Sequence, residues 1–173
     1  MSNTRVGFNL AEMRNNRSKS CQELEALSVK YCAKDAKGAQ VNGDDILALS
    51  NVVDNVHIAV GSAIGLQDIM EKVVKIDKYE LDEKTKKNIV KDFDVVNTDG
   101  SALATESLKV IDEDITKLVA TFPDDSDVRT EVRRVATKLK NNLVESTNEF
   151  SRIMDETQKD YFARINTPGF VKK

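Results

Sequence analysis

Tryptophan is absent from this 173-residue chain, histidine occurs once, proline and cysteine twice each, and glycine seven times. So few prolines and glycines argue against a turn-rich β protein. A single histidine, His57, rules out histidine-rich zinc centres and the paired Glu-x-x-His repeats of di-iron bundles. Its i±4 neighbours on a helix are Val53 and Gly61, and Asp54 could only orient the ring, so it reads as a structural or surface residue. The glycines never fall into G-x-G-x-x-G or a Walker pattern, which removes the usual phosphate cradles. Cys21 and Cys32 would lie about 16 Å apart along a helix, beyond disulfide reach. They read as two reduced, partly buried thiols, since a nucleophilic cysteine would need His57 brought to it by the fold.

No run of 18 apolar residues occurs, so a conventional membrane span is not expected, and the first twenty residues contain no signal-peptide core. A cytoplasmic location is the resulting expectation. The net charge is −3 and aromatic residues make up 5% of the chain, a poor basis for binding nucleic acid. No cofactor is expected.

What is abundant is charge, 32%, beside 40% hydrophobic residues, the balance of a folded soluble domain. The charge is uneven: residues 99–127 carry eight acids against two lysines. The apolar residues recur at helical spacing. They predict an all-α, antiparallel helical bundle of four to five helices with one very long C-terminal helix. A flexible arm over 1–17, the bundle over 18–166 and a loose tail over 167–173 complete the expected organisation.

The first helix is expected over 20–37, opened by Ser20 with Glu23 as a capping box and closed at Gly38. A second is expected over 44–76, where Ile46, Leu49, Val53, Val56, Val60, Ala63, Gln67, Met70 and Val74 step 3-4-3-4. Val52, Ala59, Leu66 and Val73 widen its stripe, so cover on more than one side is expected, with Gly61 and Gly65 admitting a close neighbour. Two shorter helices over 83–96 and 102–122 are split by a loop at Asn97-Thr98-Asp99-Gly100-Ser101. Phe122-Pro123 stops the fourth, and Asp124, Asp125 and Asp127 open the last helix, 125–165. That helix has a basic first half, a polar stutter from Asn141 to Asn148 and an aromatic second half. The stutter marks either a buried polar layer or the point where the partner helices end.

Two constellations carry candidate chemistry. Asn97, Asp99, Ser101 and Glu106 resemble positions 3, 5, 7 and 12 of an EF-hand loop, but Val95 stands where the first acidic ligand belongs. A capped helix junction is the preferred reading over a calcium site. Arg129, Arg133, Arg134 and Lys138, with Lys140, form a basic band suited to a protein surface or to internal pairing with the acids at 112–114. With Phe150, Ile153, Tyr161 and Phe162 this band makes up the candidate partner-binding residues. The functional expectation is a non-enzymatic helical interaction or structural protein that binds another protein or self-assembles. The alternative is an amphipathic bundle that binds or inserts into membranes through the valine-rich 46–74 segment.

Overall fold

The computed structural model describes residues 9–75 and 82–163. They form four helices, α1 (Leu10–Tyr31), α2 (Gly43–Lys75), α3 (Glu83–Ala120) and α4 (Ser126–Thr157), the last running on into a π-helical turn, Gln158–Phe162. Residues 1–8 of the expected arm and the whole of the expected tail at 167–173 lie outside the described residues, while Leu10 to Arg17, expected as part of a flexible arm, belong to α1.

Three helices start where a carboxylate or amide oxygen can accept an orphaned backbone N–H. Asn9 accepts from the Glu12 amide at 3.1 Å, Asp82 from that of Thr85 at 2.7 Å, and Asp125 from those of Asp127 and Val128 at 2.9 and 3.0 Å. The cap at Asn9 corrects the expected start of the first helix. Ser20 is a buried residue in mid-helix, and Met13 is already 7% exposed core. The other end is corrected as well, because α1 stops at Tyr31 rather than Lys37. Asp35 Oδ1 accepts from the Lys37 and Ala39 amides at 2.8 and 3.0 Å, and Gly38 supplies the positive φ of 85° that the turn needs. A local side-chain turn thus outcompetes one more helical turn.

The expected loop at 97–101 is also corrected. Helix α3 runs unbroken through it for 38 residues. Gly100 is there for room rather than for a turn: a Cβ on it would lie 2.1 Å from Cζ of Phe150.

Two apolar clusters set the topology. The first joins the beginning of α2, the end of α3 and the beginning of α4, through residues such as Leu49, Val53, Ile111, Leu118, Leu139 and Leu143. The second joins the end of α2, the beginning of α3 and the further part of α4, through Val60, Met70, Phe93, Phe150 and Ile153. Neighbouring helices therefore alternate in direction. Helices α2 and α4 each pack against both α1 and α3, whereas α1 and α3 scarcely meet. Each fully buried leucine, valine or isoleucine contributes about 1.5–3 kcal/mol, and the clusters supply the drive that helix propensity alone lacks.

Polar side chains tie the ends of the first cluster. Asn42, fully buried, accepts the Ser28 hydroxyl on Oδ1 and donates Nδ2 to Thr121 Oγ1 at 3.0 Å, linking α1, the start of α2 and the end of α3. Arg129 closes the end of α3 by donating to the carbonyls of Phe122 and Pro123 at 3.0 and 3.1 Å.

Candidate functional site

The basic band of α4 faces solvent but is largely engaged within the chain. Arg134 donates Nε to Glu131 at 3.0 Å, and the Arg134 guanidinium holds the Glu131 carboxyl below its usual range. Arg134 and Lys138 also approach Glu23 of α1 at 3.7 and 3.5 Å, and Lys140 meets Asp112 of α3 at 2.7 Å. Exposed pairs of this kind add little stability, but they steer α1 and α3 to α4. Arg129 is committed to the α3 terminus, and Arg133 is exposed.

The aromatic half of α4 turns inward. Phe150 and Ile153 are 1% and 0% exposed in the second cluster. Phe162 stacks on Phe93 with ring centroids 4.3 Å apart, and the Tyr161 hydroxyl donates to Glu71 Oε2 at 3.1 Å. Phe150 and Ile153 are thus corrected from partner-facing to core. Asn97, Asp99, Ser101 and Glu106 lie along one continuous helix, where alternate residues point about 200° apart and do not converge. Among the described residues no group of three or more His, Cys, Asp or Glu stands where it could hold a metal.

The stutter resolves as a buried polar layer between the two apolar clusters. Asn142 and Ser146 of α4 are 6% and 0% exposed, and His57 of α2 is 0% exposed. His57 Nε2 lies 2.6 Å from Asn142 Oδ1, and Asn142 Nδ2 donates to the Met13 carbonyl of α1 at 2.9 Å. A carbonyl only accepts, so it fixes which end of the amide faces it, and Oδ1 is left to face the ring. The imidazole hydrogen therefore sits on Nε2. Nδ1 is buried and unpartnered. Burial lowers the affinity of the ring for a proton, opposed by the Asn142 hydrogen bond, and the charges of Arg17 and Arg14 act with burial.

Apolar surface is left uncovered at Val29 of α1, at Val41 and along the outer face of α2. Helix α2 packs against α1, α3 and α4, in keeping with the expected cover on more than one side, but its outer face leaves Leu47, Ile58 and Ile69 55%, 54% and 55% exposed. They are spaced three turns apart and so form one line along the outer face. Beside Ile58 runs a shallow groove of about 230 Å³ between α2 and α3, lined by Ala59, Val95, Val96 and Leu103 with Asn55, Ser62 and Asp99 at its rim. Val95 is itself 48% exposed. The missed signal was in plain view, since equal spacing of 47, 58 and 69 is a helical period like any other. Of the glycines expected to admit a close neighbour, Gly61 sits beneath Leu10 and Arg14 of α1, while Gly65 has open space.

Comparison with known proteins adds no relative: no protein-family model, curated protein or solved structure matches the chain.

Proposed function

We propose that this four-helix bundle is a non-enzymatic interaction protein that associates with a second copy of itself through the outer face of α2. The observation that carries this reading is the line Leu47–Ile58–Ile69. Covering these large, half-exposed side chains with a second copy removes them from water, which favours association. The line also has a centre. Leu47 and Ile69 are equally far from Ile58 in sequence, so a two-fold axis at Ile58 sets Leu47 of one copy against Ile69 of the other. The same axis brings exposed Asp44 onto exposed Lys72, pairing opposite charges at both ends of the interface. Val95 and the α2–α3 groove flank the centre and widen the apolar area.

Sedimentation equilibrium tests the proposal. The wild-type chain is expected to show a reversible monomer–dimer equilibrium. Ile58→Glu places two carboxylates face to face at the axis and is expected to weaken association by about a hundredfold or more. Its helical circular dichroism should be retained, because Ile58 is half exposed. A wild-type chain that stays monomeric at every concentration would remove the reading.

A membrane-binding reading draws on the same helix. Over its best 18-residue window α2 reaches a mean hydropathy of 1.3, long and apolar enough to cross a bilayer by length and composition. The buried share of that window, 39%, belongs to the bundle core, and core helices of soluble proteins pass the same test. Co-sedimentation with anionic vesicles distinguishes this reading from self-association.

A further inference from the structure

We propose that His57 is an acid-sensitive latch that holds α1 against the α2–α4 pair. Three features of the polar layer lead to this. First, His57 is wholly enclosed, and the chain His57 Nε2–H to Asn142 Oδ1, then Asn142 Nδ2 to the Met13 carbonyl, joins all three helices at one level. Second, the tautomer is fixed, so an added proton must go to Nδ1, which has no acceptor. Third, the charges acting on the ring are unbalanced. From α1 come Arg14 and Arg17; from α2 comes Asp54, which already lies 3.7 Å from the Arg17 guanidinium; α4 presents the neutral Asn142, and α3 presents no charge to the ring. A proton on His57 creates a third positive charge beside two arginines, both on the one helix able to leave.

Helix α1 is suited to leaving. It is the shortest of the four and packs mainly against α2 and α4. Its other links across the bundle are the Arg17 hydrogen bond to Ser50 and ion pair with Asp54, the Ser28 hydroxyl on Asn42, and the ion pairs of Glu23 with Arg134 and Lys138. Its release would uncover the side of the first cluster now covered by Cys21, Leu24, Leu27 and Tyr31. That surface adjoins the outer face of α2 at one end, where Cys21 and Val29 line a pocket with Leu47, but the latch is read by pH dependence and self-association by concentration dependence, so each stands or falls on its own.

The sign follows from proton binding. With α1 closed, the ring resists protonation; with α1 released and the ring in water, it takes a proton at its ordinary value, about 6.5. Above that value the closed state keeps its full advantage. Below it, opening takes up a proton, and the open fraction rises by up to about tenfold per pH unit until the closed form also binds one. The Asp114 carboxyl, pushed up by burial, is a second acid-responsive group, but it belongs to α3.

Hydrogen exchange resolved by helix, between about pH 7.5 and pH 5.5 and corrected for the intrinsic rate, tests the latch. Amides of α1 are expected to lose protection by up to about tenfold per unit below pH 6.5, while those of α3 and α4 keep theirs. In His57→Gln, which can hydrogen-bond but not titrate, the pH dependence of α1 should vanish. Loss of protection in all helices together, or an unchanged α1 profile in the variant, would overturn the proposal. Should the variant not fold, the wild-type imidazole titration followed by NMR decides. It must proceed in step with α1 exchange, and a ring that titrates without α1 opening also overturns the latch.

Discussion

Gly100→Ala is expected to destabilise the bundle by about 1–3 kcal/mol, although alanine is the better helix former. Gly100 lies inside α3, where alanine would ordinarily gain up to about 1 kcal/mol through a more restricted unfolded chain. The new Cβ, however, would stand 2.1 and 2.4 Å from Cζ and Cε1 of Phe150. That ring is 1% exposed and hemmed in by the second cluster, so it cannot swing aside into water. The contact predicts a reversal of sign. In a Phe150→Leu background, itself costing about 1–2 kcal/mol, Gly100→Ala should become neutral or stabilising by up to about 1 kcal/mol. Urea denaturation of the four proteins closes the cycle. Stabilisation by Gly100→Ala in the wild-type background would show that α3 and α4 do not approach as described.

Asn142→Leu should cost about 1–3 kcal/mol, despite replacing a polar core residue with an apolar one of similar size. The substitution removes the acceptor of His57 Nε2–H. Moving the hydrogen to Nδ1 gives no relief, because Nδ1 has no partner either. Whichever tautomer forms, one N–H is left buried and unpaired. Removing both partners, as in His57→Leu with Asn142→Leu, should recover most of the loss. Thermal denaturation of the single and double variants measures it, and a double variant no more stable than Asn142→Leu alone would contradict the pairing.

The first prediction turns on a place where local sequence signals misled. Asn97-Thr98-Asp99-Gly100-Ser101 has the composition of a loop, yet Ile89, Phe93, Gly100, Ala104, Ser107 and Ile111 hold the buried stripe of α3 straight through it. Tertiary packing overrode turn propensity, and the glycine was a gap reserved for a ring. The long helices α2 and α4 were legible because their stripes are long, and α4 also because Asp125 caps it conventionally. The start of α1 was not, because its first turns bury little beyond Met13 and carry almost no stripe.

The polar stretch Asn141–Asn148 could be read as a buried layer or a projecting rod, and only the position of His57 on another helix decides it. The burial of Phe150 and Ile153 was missed for a simpler reason. Periodicity shows that a face is apolar, not whether the same chain covers it. Phe150 and Ile153 are covered; Leu47, Ile58 and Ile69 are not.

Hydroxyl-radical footprinting at low and high protein concentration addresses the proposed working surface most directly. Reactivity at Leu47, Ile58 and Ile69 should fall together as concentration rises, while side chains along the α4 band from Arg129 to Lys140 stay as reactive as before. Reactivity on α2 that holds constant at every concentration, or protection that appears on the α4 band instead, would contradict the assignment of the outer α2 face.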